Sequence, residues 1–97
     1  MIVRLLLFAT AREAAGCSSD TYELPAGSTV AGILDAAVAR YGGTFADVLG
    51  TSGVWVNGDE PELGRFQTLV EGDEIAVLPP VSGGAGPFRV LRVMPDW

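Results

Sequence analysis

Residues 28–43 carry the clearest helical period in the chain, and this segment restricts the fold more than any other. Val30, Ile33, Leu34, Ala37, Val38 and Tyr41 recur at spacings of three and four, which lines them along one stripe of an α-helix. Ser28 or Thr29 offers a side-chain oxygen to the free amides at the start. Gly42-Gly43 supplies a left-handed stop. Gly32 weakens the helix slightly, and packing must offset that. A helix with one apolar stripe needs one apolar surface to cover it.

The flanking segments read as the strands of that surface. Ile2–Phe8 is apolar except for Arg4 and is short enough for a strand with both faces partly covered. Thr10–Ser19 reads as a loop or a short helical turn, and Thr21–Leu24 as a second strand ended by Pro25 and Gly27. Val54-Trp55-Val56 meets Asn57-Gly58, a strong hairpin-turn signal. The return through Glu60–Leu63 is a weak strand because Pro61 interrupts it. Glu74–Val81 is the last strand, stiffened and ended by Pro79-Pro80. Strand, strand, helix, strand, weak strand, strand is the β-grasp order. It predicts an α+β fold with one main helix crossing a mixed sheet, in a domain over residues 1–81. Residues 82–87 form a Gly-rich segment, and residues 88–97 an extension too short to be a domain.

Composition removes most catalytic classes. Among 97 residues there are twelve carboxylates, six arginines, no lysine, no histidine and one cysteine, for a net charge of −6. Phosphate neutralisation needs clustered cations, so this balance argues against nucleic acid as a partner. It also argues against anionic lipid, and it favours a basic patch on a protein. No metal site is expected, since neither a structural zinc site nor a thiolate-held cluster can be assembled from these residues. Ser-His-Asp and Cys-His catalysis and a Schiff-base lysine are excluded within the chain. A two-carboxylate hydrolase remains formally open, although the acids fall mostly in apparent turns. Cys17 has no partner for an internal disulfide, which fits a reducing compartment, and it reads as a small loop residue. The apolar run before Ala9-Thr10-Ala11 is too short for a secretory h-region of roughly 7–15 residues and too short to span a bilayer. The expectation is a cytoplasmic protein.

The run Leu78-Pro79-Pro80-Val81-Ser82-Gly83-Gly84 resembles the tail of the MoaD/ThiS sulfur carriers, a ubiquitin-like β-grasp family that includes the small subunit of molybdopterin synthase. The resemblance covers residues 1–84. It also rests on Phe8-Ala9 with Arg12-Glu13, Gly27-Ser28-Thr29-Val30, Val56-Asn57-Gly58, Leu69 and Gly72-Asp73-Glu74. What it implies suits a chain without catalytic side chains. The reactive group would be the backbone carboxylate of Gly84, adenylated with ATP by a partner related to ubiquitin-activating enzymes and then converted to a thiocarboxylate. Its sulfur would be donated inside the large subunit of molybdopterin synthase. No cofactor would be bound by the chain itself. Val81, Ser82 and Gly83 would thread a narrow channel behind the stem residue Pro80. Glycine has no Cβ, so surrounding protein can approach its backbone closely, and the prolines lower the entropy lost on insertion.

Family members of this type end at the second glycine, whereas this chain continues for thirteen residues. A peptide bond after Gly84 cannot be adenylated as a carboxylate, so removal of residues 85–97 by a protease is expected of a carrier. Read from composition alone, Ser82–Pro87 is a flexible linker.

Period two adds a surface. If Val3, Leu5 and Leu7 face the helix, then Leu6 and Phe8 face away, and Ile75 and Val77 inward put Leu78 outward. Trp55, between inward Val54 and Val56, would join them in an apolar partner-binding patch beside the tail. A register shift of one residue would instead turn some of these into core. Arg12 either contacts the partner or forms a surface pair with Glu13. Asp59, Glu60 and Glu62 form an acidic loop that attracts a basic enzyme or is merely solvated. Two other readings stand beside the molybdopterin one. One is a sulfur carrier for cysteine or thiamine synthesis. The other is a non-carrier interaction module that uses its C-terminal extension.

Overall fold

The structure is a computed structural model and describes residues 1–80. Four strands and three α-helices are present there: β1 (Ile2–Leu7), α1 (Ala9–Ala15), β2 (Ser19–Glu23), α2 (Val30–Tyr41), α3 (Gly43–Leu49), β3 (Gly53–Val56) and β4 (Glu74–Leu78), with a 3₁₀ turn at Gly64–Phe66 before β4. The sheet order is β2-β1-β4-β3. β1 pairs antiparallel with β2 and parallel with β4, and β4 pairs antiparallel with β3. This is the mixed β-grasp sheet with α2 as its main helix. Calls that fall on residues 81–97, including the Gly-rich segment and the extension, lie outside the described residues.

Register explains the core. Leu5 stands opposite Ile75 and Leu7 opposite Val77. Val3 stands opposite Tyr22 on the other side of β1. All six are buried, and they meet Val30, Ile33, Leu34 and Ala37 of α2, which are also buried. Each such large side chain contributes about 1.5–3 kcal/mol by leaving water. The helices therefore cover one sheet face. α2 is capped by Thr29, whose Oγ1 accepts from the Gly32 amide at 3.4 Å. It ends at Gly42, whose φ of 99° is open to glycine.

Four parts of the chain depart from the sequence expectation. The expected strand at Glu60–Leu63 does not form. The Asn57-Gly58 turn closes only on Asp59, through paired Val56–Asp59 hydrogen bonds of 2.8 and 3.0 Å. Pro61 has no amide to continue the ladder, and β3 pairs with β4 instead. Residues 9–15 form a full helix where a loop or short turn was expected. α3 was not anticipated at all. It buries Phe45 and Leu49, an i, i+4 pair too short to show a helical period clearly. The last strand stops at Leu78, earlier than Val81.

Two polar clusters hold the periphery. Asp73 is buried, accepting from Asn57 Nδ2 at 2.9 Å and from the Val70 amide at 2.8 Å. Its carbonyl accepts from the Arg4 amide. Asn57 returns through Oδ1 to the Glu74 amide at 2.9 Å. One residue thus ties the β3 turn and the entry to β4 through its carboxylate, and the start of β1 through its carbonyl. At the other edge, Asp20 accepts from the Tyr41 hydroxyl at 2.6 Å and from Arg40 at 2.8 Å. The Tyr41 hydrogen bond, then Arg40, holds Asp20 below the usual carboxylate range. Arg40 also covers the Tyr22 ring at 4.1 Å. Burial raises the pKa of the Tyr22 hydroxyl.

Removing the Asp73 carboxylate leaves the Val70 amide and the Asn57 side chain without their acceptor. Asp73→Ala is therefore expected to destabilise the domain by about 1–3 kcal/mol. Denaturant unfolding checks this, and an unchanged midpoint would show that the clasp contributes nothing.

Candidate functional site

The face of the sheet away from the helices carries an apolar groove. Leu6 of β1, Ala76 of β4 and Trp55 of β3 stand in one row, since Leu6 and Trp55 both lie opposite Ala76. Large, small, large across adjacent strands leaves a trough with Ala76 as its floor. The next row is Phe8, Leu78 and Gly53. The Phe8 amide donates to the Val77 carbonyl at 3.3 Å, and Leu78 stands opposite Gly53. A Cβ built on Gly53 would meet Trp55 Nε1 at 3.4 Å, so the indole leans over this glycine. Leu6, Phe8, Trp55 and Leu78 are half-buried, yet none belongs to the core or packs against it. Ala76 is buried at 2% exposure, although it is not part of the main core cluster under the helices.

A charged row closes the trough at one end. Arg4 Nη1 meets Glu74 Oε2 at 2.9 Å across the β1–β4 pair. Both side chains are about half exposed, so the pair contributes at most about 1 kcal/mol and chiefly marks a polar border. At the other end the trough opens where β4 becomes the tail. From Leu78 in this row the chain continues to Pro79, which is buried, and Pro80, which is exposed.

The structure thus brings Leu6, Phe8, Trp55 and Leu78 to one face, and Pro80 is exposed two positions beyond Leu78. Arg12 is exposed on α1, its amide donating to the Phe8 carbonyl at 3.3 Å. The ion pairs among the described residues are Arg4–Glu74 and Arg40–Asp20, so the alternative Arg12–Glu13 pair does not form. Val81, Ser82, Gly83 and Gly84 lie outside the described residues. Asp59, Glu60 and Glu62 line a separate groove of about 660 Å³ beside Val56 and Leu63, toward the end of the sheet where β4 begins. No cluster of metal-binding side chains occurs among the described residues, and no described helix is long and apolar enough to cross a membrane.

Comparison with known proteins places the fold and the groove in context. The model of the ThiS family matches residues 5–84. The chain belongs to this family. Its match begins in β1 and ends at the second glycine of Gly83-Gly84. The molybdopterin synthase sulfur carrier subunit of Chlamydomonas reinhardtii is 32% identical over 84 residues, which cover 87% of this chain and all of that protein. The protein of the same name from Arabidopsis thaliana is 34% identical over 83 residues, covering 84% of this chain and 82% of the relative. The crystal structure of small archaeal modifier protein 1 from Haloferax volcanii superposes with a TM-score of 0.76 at 32% identity, covering 87% of this chain and all of that one.

The two faces of β1 are expected to respond differently to truncation. Leu5→Ala opens a cavity under α2 and should cost about 2–5 kcal/mol. Leu6→Ala removes a half-buried side chain outside the core and should cost less than about 1.5 kcal/mol. Equal losses in denaturant unfolding would contradict the assigned faces.

Proposed function

We propose that this chain is a sulfur carrier that serves as the small subunit of molybdopterin synthase, with the carboxylate of Gly84 as its working group. The observation that carries this reading is where the family match stops. It ends at Gly84, thirteen residues before the end of the sequence. Two relatives bearing the name molybdopterin synthase sulfur carrier subunit support the pathway.

The chemistry follows from a bare carboxylate. A protease first hydrolyses the Gly84–Ala85 bond. In an activating enzyme, a Gly84 carboxylate oxygen then attacks the α-phosphate of ATP. Pyrophosphate leaves and an acyl adenylate remains. A hydrosulfide-level sulfur nucleophile attacks the acyl carbon and displaces AMP, leaving Gly84 as a thiocarboxylate. None of these steps asks for a side chain from this protein, which agrees with a sequence lacking histidine and lysine. ATP is bound by the partner and not by this chain.

The groove supplies the docking energy. Its apolar walls would receive the large subunit while the stem, continuing from Leu78 through Pro79, points the tail into the partner's active site. A partner that grips Leu6, Phe8, Trp55 and Leu78 fixes the starting position of the tail, so fewer conformations are lost on insertion. Glycine at 83 and 84 keeps the required channel narrow. The cytoplasm is the compartment this reading assigns.

A second reading has its own support in the modifier protein from Haloferax volcanii. The same activated Gly84 would then pass to an acceptor on another protein rather than take up sulfur.

Gly84→Ala, in the form ending at residue 84, places a methyl at the acyl carbon's neighbour. Sulfur transfer in a reconstituted system is expected to fall by about 100-fold or more, with no change in the unfolding midpoint because every core residue lies between Val3 and Val77. Full retention of sulfur transfer would overturn the assignment of Gly84.

A further inference from the structure

The groove beside Val56 lies at the end of the sheet where β4 begins. The tail follows Leu78 at the other end, five residues along the strand, or about 17 Å. The groove's volume of about 660 Å³ falls within the roughly 300–1,000 Å³ of ligand clefts. Its walls are fixed by the backbone. On one side, paired Val56–Asp59 hydrogen bonds of 2.8 and 3.0 Å close the turn. On the other, the Gln67 carbonyl accepts from the Val30 amide and the Leu69 amide donates to the Ser28 carbonyl, both at 2.9 Å. Thr68 between them bridges to Thr29, so this wall is held against the start of α2. A groove preformed in this way loses little freedom when it is filled.

Two independent features define the occupant. The first is apolar. Phe66 and Leu63 are the most exposed large hydrophobic side chains among the described residues, at 84% and 67%. Leu63 lines the groove with Pro61 and Val56, and the Phe66 amide donates to the Leu63 carbonyl at 3.0 Å. Exposed aromatic and aliphatic side chains beside a cleft mark a protein contact and serve as its anchors. The second is charge. Asp59, Glu60 and Glu62 line the same groove. The ion pairs among the described residues are Arg4–Glu74 and Arg40–Asp20, so none of these three carboxylates is paired with a cation there. Arg65, on the adjacent turn, does not line the groove. Carboxylates interleaved with exposed apolar side chains complement a segment that carries both basic residues and a hydrophobic anchor. They repel nucleic acid and anionic lipid.

We propose that this groove is a second protein-docking site, which takes a basic segment of a partner protein with an apolar anchor seated against Leu63 and Phe66. Its place at the end opposite the tail lets one protein hold the domain while another engages the tail. The contact goes beyond the carrier reading and does not depend on Gly84.

Amide resonances of the isotope-labelled full chain test this during titration with the amidated peptide Lys-Arg-Leu-Lys-Arg-Phe. Saturating shifts are expected at Asp59, Glu62, Leu63 and Thr68, with Leu6 and Trp55 unmoved. The control peptide Lys-Arg-Gly-Lys-Arg-Gly should bind about tenfold more weakly. Glu60→Gln/Glu62→Gln and Phe66→Ala should each weaken the first peptide by about tenfold. The unfolding midpoint should not change, since all three side chains are exposed. Absence of binding would overturn the site. So would equal binding of both peptides with shifts spread over Glu23, Asp35 and Asp47, which would show unspecific charge attraction. Shifts centred on Leu6 and Trp55 would overturn it in favour of the outer face. Shifts at Leu63 on tenfold dilution of the protein alone would assign the groove to a second copy. Sulfur on Gly84 is read separately by mass, so failure of this site and failure of the carrier reading are distinguishable.

Discussion

Parallel pairing of β1 with β4 is the constraint on which the rest of the molecule depends. It joins the first strand to the last described strand, about seventy positions apart in the chain. Its register puts Leu5 beside Ile75 and Leu7 beside Val77 on one face, and Leu6 beside Ala76 on the other. Slipping that register by one residue would exchange the core and the groove. The Asp73 clasp lies where this pair begins, with the Arg4 amide bound to the Asp73 carbonyl, and so it holds the register at its entrance. The position of β4 in the middle of the sheet also decides where the tail leaves. A terminal strand at an edge would release its tail beside the fold, whereas this one continues toward it from Leu78 in the outer-face row.

This arrangement divides the work between side chains and backbone. Side chains on one face bury the helices and hold the domain together. Side chains on the other face are the ones proposed for recognition of the partner. The reactive group proposed for the protein is a main-chain carboxylate, so chemistry places no demand on side-chain identity beyond smallness at the tail. This is why a chain with so few catalytic residue types can serve a reaction. The prolines link the two functions by carrying a defined direction from β4 into the tail.

Much of this was legible from residues alone, for identifiable reasons. The α2 stripe repeats long enough for its period to stand out. Alternation in Ile2–Leu7, Val54–Val56 and Glu74–Leu78 assigns Leu6, Trp55 and Leu78 to the outer face, because period two leaves only two choices and the helix takes one. Shorter or less regular elements were not legible. α3 has only Phe45 and Leu49 as buried anchors, and α1 begins at Ala9 with a φ of 51°, which no propensity scale suggests. Asn57-Gly58 correctly signalled a turn, but the partner of β3 is a distant strand and not the next segment. Gly72-Asp73-Glu74 stood out as a motif, but the clasp made by Asp73 did not, since it depends on groups from separate parts of the chain. The trough itself arises from Ala76 lying between Leu6 and Trp55, a relation of register across three strands that no local pattern contains.

The central claim is that Gly84 becomes a sulfur-bearing terminus, and intact mass of the untagged protein from its own cells tests it most directly. The account predicts a species ending at Gly84 with sulfur in place of one carboxylate oxygen. Finding only the chain through Trp97, in cells actively making the cofactor, would contradict it.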